Sequence, residues 1–365
     1  MQISYGAASF TLNHDLVSFH ITRDGGMLAP VTFRLGDRIV SPYSLSPWKP
    51  DEVDAGLPVL LKNLRGDFFC LPFGPQENGL PHGETANCAW HLVSETEGSL
   101  TLGIDASDVA ANVMKTISLR PGQTAIYHEH RISGLEGDFS YGNHPILDLS
   151  ALPEGAARVS VSPFRWASVY PAVFSDPADG ASQALKIAGL FSDLGEVPLA
   201  DGGTTDLTRY PARAGNDDLV MMVSEDATPE QPFAWTAVVL DGYVWFSLKS
   251  PADFPATLFW LSNGGRSAAP WESRHVGRLG IEDVCSYFCD SVDLSRKDLL
   301  HNLGVPTTRR FSKDEPVTLR NIQAVVAVPE NFGLVKSIVP SGGNAVMLTD
   351  ENGLTATAAV DWAAL

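Results

Sequence analysis

The strongest constraint on the fold of this chain is a rhythm of short apolar runs, each closed by Gly, Pro, Asp or Asn. Residues 16–21, 100–104, 113–119, 124–132, 219–223, 235–240, 243–248 and 256–261 all read this way, which is the pattern of antiparallel strands joined by turns. In Val244-Trp245-Phe246-Ser247-Leu248 polar and apolar residues alternate, whereas Ala237-Val238-Val239-Leu240 is apolar on both faces, as in a strand buried between layers. Two stacked sheets account for both patterns. Helical periodicity is confined to residues 295–302, where Ser295 is the expected cap. Residues 176–206, rich in Ala, Gly, Asp and Ser, are expected to form a long surface excursion.

At 365 residues the chain exceeds the usual single-domain length, but all-β folds of roughly 200–250 residues or more often remain one domain. One domain over 1–365 is expected, with 321–365 as a C-terminal extension of further strands. The formal net charge of -18 argues against nucleic acid or an acidic membrane surface as partner. No apolar stretch approaches a membrane span, and the first residues show no basic segment followed by an apolar one. A soluble, cytoplasmic protein is the expectation, with oligomeric state left open. Cys70, Cys88, Cys285 and Cys289 form no C-x-x-C pair, so reduced thiols are expected rather than disulfides or a zinc site. Cys285 and Cys289 are expected on one strand face with Tyr287.

Three separated pieces carry chemistry: Pro81-His82-Gly83-Glu84, Gly142-Asn143-His144-Pro145 and Gly280-Ile281-Glu282-Asp283. The first follows Asn63-Leu64-Arg65-Gly66-Asp67-Phe68-Phe69-Cys70 and precedes Trp90. Together with Leu248-Lys249-Ser250-Pro251 and Leu258-Phe259-Trp260-Leu261, this order resembles the aldose 1-epimerase, or galactose mutarotase-like, superfamily over roughly residues 10 to 320. Asp283 stands where that family has a proline, and Ile146 where it has an aromatic residue. The resemblance implies an all-β, large antiparallel β-supersandwich and a carbohydrate ligand, with no cofactor or metal.

Interconverting the anomers of a pyranose needs a base for the C1 hydroxyl proton and an acid for the ring oxygen, so that the ring opens, C1 rotates and the ring closes. The resemblance implies Glu282 as base, His144 as acid, His82 as donor toward the ring, and Arg65 on the hydroxyls. Glu282 and His144 are expected to face one cleft with a pyranose ring between them. The alternative in another class is a carbohydrate-binding or regulatory protein without turnover.

Two further clusters stand out. Arg266, Arg274 and Arg278, with Trp271 and His275 among them, are candidates for an anion clamp on an acidic or phosphorylated sugar. Trp260 and Trp271 are candidate stacking faces, as are Trp90 and Trp166. In Tyr127-His128-Glu129-His130 the two imidazoles share a strand face, a pattern similar to the first metal motif of cupins, although Glu136 comes one residue late.

Overall fold

The computed structural model describes residues 1–365. Two large antiparallel sheets face each other across the main core. The nine-stranded sheet runs Arg209–Tyr210, Ala157–Val161, Ala234–Leu240, Tyr243–Lys249, Val317–Ala327, Ala125–Ser133, Ala111–Ser118, Ser99–Ala106 and His91–Glu95. The seven-stranded sheet runs Phe164–Val169, Asn216–Ser224, Ala256–Asn263, Arg278–Cys285, Tyr141–Asn143 and Phe69–Cys70, with Ile146–Asp148 also paired to Arg278–Cys285. A five-stranded sheet from residues 2–40 packs Phe19, Val31 and Phe33 into the same core.

Side-chain alternation assigns the faces. On Arg278–Cys285, Leu279, Ile281 and Cys285 enter the core between the sheets, so Glu282 and Val284, one residue out of phase, stand on the opposite face. That face carries a second apolar cluster with Leu219, Leu258 and Trp260, roofed by the short helix Val59–Asn63 and by Trp271. A third cluster covers the outer face of the nine-stranded sheet, where Ala237, Val239, Phe246 and Ala324 meet Ile338, Val346 and Leu348. This second cover explains why Ala237 to Leu240 is apolar on both faces.

The structure revises four expectations. The C-terminal extension does not begin at 321, because Val317–Ala327 lies in the middle of the large sheet. The added unit is the three-stranded sheet Val335–Pro340, Ala345–Asp350 and Thr355–Ala359. The helix starts earlier, at Val292–Ser295, because the Ser291 hydroxyl accepts from Leu294 N (3.3 Å) and caps it. Residues 176–206 are not wholly superficial, since Leu185, Leu194 and Val197 anchor them in the core. Cys285 ends its strand, and Cys289 lies beyond the following turn in the other cluster, so the two do not share a strand face.

Buried inside the fold, Lys249 Nζ lies 2.9 Å from Asp283 Oδ1, with 2% and 1% of the side chains exposed. Lys249 also donates to Ala256 O and Thr257 Oγ1. Burial pulls its ammonium below the ordinary value while Asp283 pulls the other way. Asp283 is therefore one half of a buried pair with Lys249.

Candidate active site

An open cavity, whose empty volume is about 530 Å³ including its mouth, lies on the far face of the seven-stranded sheet and brings the three separated pieces together. Its floor carries Glu282 and Trp260 from neighbouring strands, paired with Leu258 and Gly280 respectively. Tyr141 faces the core, so Gly142 faces the cavity side, where an added Cβ would meet Val284 at 2.7 Å. His144, two residues on, then points to the same side. Its backbone N–H donates to Phe68 O (2.9 Å) and Asp67 Oδ1 (3.1 Å), and its ring stacks on Phe68 at 4.6 Å. Asp67 is itself held by Gln323 Nε2 (2.8 Å), which ties the position of His144 to the centre of the fold.

His144 Nε2 and Glu282 Oε1 are 3.2 Å apart, with 6% and 2% of the side chains exposed. No pyranose ring fits between them, contrary to the sequence expectation. The two groups stand side by side as a close dyad. Burial raises the Glu282 carboxyl to about 8, with Arg266 opposing, and holds His144 well below the ordinary imidazole value. At neutral pH both groups are therefore neutral, and the contact is not an ion pair. Glu282 Oε2 and His144 Nδ1, both buried, have no partner in the protein.

His82 completes the polar wall, its ring 5.5 Å from that of His144. Gly74 N–H donates to its Nδ1 (3.3 Å), which assigns the ring proton to Nε2. Burial lowers its pKa to about 4, so it is a neutral donor. Cys289 Sγ lies 3.9 Å from that Nε2, and burial pushes the thiol well above its ordinary value, so it stays protonated at neutral pH.

The loop holding His82 is constrained. His82 has φ +60° and Gly83 φ +72°, while Asn87 Nδ2 ties Pro81 O and Gly83 O together and its Oδ1 accepts from Leu60 N. A Cβ on Gly83 would lie 2.0 Å from Leu71 O. Gly83→Ala is expected to lower stability by about 2 kcal/mol or more and to detach His82 from Gly74. Urea unfolding and the His82 ring NMR shifts check this, and an unchanged midpoint with unchanged shifts would contradict it.

The other candidates separate. Arg266 lies at the cavity, its guanidinium 4.9 Å from the Trp271 ring centroid and 5.3 Å from that of Trp260, and its Nε is 3.5 Å from Asp217 Oδ1. Asp217 also accepts from Trp260 Nε1 (2.9 Å) and Gly265 N (3.0 Å). Trp260 and Trp271 both line the cavity. Arg278 turns to Asp148 Oδ1 (2.5 Å) and Val276 O, and Arg274 pairs with Glu272 (3.0 Å) at the surface. The three-arginine clamp is thus not assembled, because Asp148 and Glu272 hold two of the three guanidiniums elsewhere. Arg65 also misses the cavity: it is 2% exposed and donates to the carbonyls of Asn63, Ser4 and Tyr5. Trp90 is buried in the main core rather than at the cavity, and Trp166 packs on Phe288.

The H-x-H pair lies inside the fold. His130 stacks on Phe69 at 4.1 Å and His128 Nδ1 is 3.7 Å from Asp67 Oδ2. No group of three His, Cys, Asp or Glu side chains is arranged to hold a metal ion, and Glu136 is tied to Arg310 at the surface. The cupin-like arrangement therefore does not form. Sequence reasoning gave neither Asp217 nor Cys289 a place at the site; the one signal was the period-2 phase of Asp217 with Leu219 and Met221, which puts it on the cavity side of its strand.

No family model matches the chain, and no curated protein matches it. Solved structures do. A galactose mutarotase-related enzyme from Lactobacillus acidophilus superposes with a TM-score of 0.56 at 12% identity, covering 87% of this chain and 97% of that one. A galactose mutarotase-like protein from Lactobacillus casei gives 0.54 at 13%, covering 87% and 100%. A protein provisionally described as an aldose 1-epimerase from Escherichia coli K12 gives 0.59 at 13%, covering 88% and 99%. No helix of the chain is long and apolar enough to cross a membrane. With its antiparallel layers and this likeness along most of its length, the chain has the galactose mutarotase-like β-sandwich fold.

Proposed function

We propose that the protein binds a cyclic hemiacetal sugar and interconverts its anomers through the Glu282–His144 dyad. The observation that carries this reading is a carboxyl and an imidazole, both buried, 3.2 Å apart on one cavity wall. In a site that penalises charge, both groups start neutral. His144 Nε2 takes the C1 hydroxyl proton and Glu282 Oε1–H protonates the ring oxygen as the C1–O bond breaks. The imidazolium and carboxylate so formed lie side by side and return the protons as the ring closes. His82 Nε2–H steadies the developing charge on the sugar. These roles differ from those implied by the family resemblance, because Glu282 starts protonated.

The pH dependence tests this. Glu282 keeps its proton below about 8 and loses it above, so anomer exchange, corrected for the spontaneous rate, is expected to be level from about pH 6 to 7 and to fall above pH 8. NMR exchange spectroscopy over a broad sugar panel measures it. A rate that rises through pH 8 would instead mark Glu282 as an ionised base. The cavity also favours a second reading, a carbohydrate-binding protein without turnover, since the indoles of Trp260 and Trp271 with Arg266 on its wall can hold a sugar ring without proton transfer. No acceleration for any sugar, with binding retained, would select that reading.

A further inference from the structure

The cavity wall is poor in groups that recognise hydroxyls. Of its thirteen lining residues nine are apolar, and the polar ones are His82, His144, Glu282 and Arg266. No Ser, Thr, Asn, Gln or Asp is among them. The dyad and His82 are committed to the anomeric hydroxyl and the ring oxygen, which leaves Arg266. That guanidinium already faces Asp217 and lies over the aromatic rings of Phe174, Trp260 and Trp271. The indole N–H of Trp260 is likewise taken by Asp217. A hexose bound here would bring its hydroxyls at carbons 2, 3, 4 and 6 against Leu60, Leu61, Leu64 and Leu219 with one partly engaged donor to share. Each hydroxyl stripped of water without a partner weakens binding by roughly tenfold or more. The same wall rewards apolar surface, and the two indoles offer flat faces to it.

We propose that the site selects a pyranose with an apolar body: one that keeps the hemiacetal at C1 but carries hydrogen, O-alkyl or aryl groups where common hexoses carry hydroxyls. This rests on the reading of the dyad as a hemiacetal site, but the selection lies in residues the dyad does not include. The charge balance agrees, since the cavity cation is matched by Asp217 and leaves no excess for an anionic sugar.

Anomer exchange of 2,3,4,6-tetra-O-methyl-D-glucopyranose, and of 2-deoxy and 6-deoxy hexoses smaller than their parents, is compared with that of glucose and galactose. The expected result is kcat/KM at least tenfold higher for the methylated sugar and higher for the deoxy sugars than for their parents. Equal or higher values for glucose or galactose overturn the proposal. A calorimetric arm separates this from failure of turnover. The methyl β-glycosides of glucose and of its tetra-O-methyl ether lack the free anomeric hydroxyl, so their affinities read the wall alone. Tighter binding of the ether sustains the selection even if no sugar is turned over; equal affinity, or no binding of either, overturns it. Leu61, only partly buried on the short helix, provides a variant: Leu61→Gln places a carboxamide in the wall and is expected to narrow the ratio of methylated to free sugar several-fold. A purely structural effect would lower both rates together and leave the ratio where it was, which would count against the assignment.

Discussion

Glu282→Gln is expected to lower anomer exchange by about 10²–10⁴-fold while making the protein more stable at neutral pH. The two effects have one cause. Burial raises the folded-state pKa of Glu282 from 4.5 to about 8, so between those values the folded protein holds a proton that the unfolded chain has released. Stability contributed by this group therefore falls as pH rises from about 4.5 to about 8. Glutamine keeps the shape and can donate its amide to His144 Nε2, but it has no proton to lose and none to pass on. Thermal unfolding at pH 7 should show a gain of about 3 kcal/mol over wild type, shrinking toward zero near pH 4.5. A variant less stable than wild type at pH 7, with exchange unimpaired, would remove Glu282 from both roles.

The second large effect is on stability alone. Lys249→Met removes one partner of the buried pair and leaves Asp283, 1% exposed, without its cation. A loss of about 3–5 kcal/mol is expected, measured by urea unfolding, because an uncompensated buried charge costs far more than the pair contributes. Lys249→Met combined with Asp283→Leu should regain most of that loss, since both charges are then gone. A single variant within 1 kcal/mol of wild type would show that Asp283 is neutral or solvated in the fold. The pair faces away from the cavity, so stability is the informative readout.

Much of the sheet architecture was legible. Strand runs such as 243–248 and 256–261 fall within Tyr243–Lys249 and Ala256–Asn263, because a half-buried strand writes its period into the sequence. Residues 237–240 were legible as doubly buried for the same reason. The helix near residue 295 was misplaced because Ser291 and Ser295 are both plausible caps and only the chain path selects one. The extension was misplaced at 321 because a central strand and an added strand carry the same apolar signal; which neighbours flank Val317–Ala327 is not a local property.

The lining of the candidate cavity was legible in part. His82, His144 and Glu282 do meet at one cavity, but their contact distance was not readable, nor was the protonation that burial imposes. Of the basic candidates only Arg266 arrives there. Arg65 serves backbone carbonyls and Arg278 serves Asp148, outcomes that depend on partners more than 60 residues away for Ser4 and more than 100 for Asp148.

The amino-acid order alone thus determines the strands, their buried faces and the residue types that supply acid and base chemistry, because alternation and turn chemistry act between neighbours along the chain. The tertiary structure decides which of those residues share a cavity and in what protonation state. It also decides that the wall around them is leucine and tryptophan rather than hydroxyl and amide. Desolvation and partner choice are set by atoms brought together across the sheets, and no local pattern encodes them.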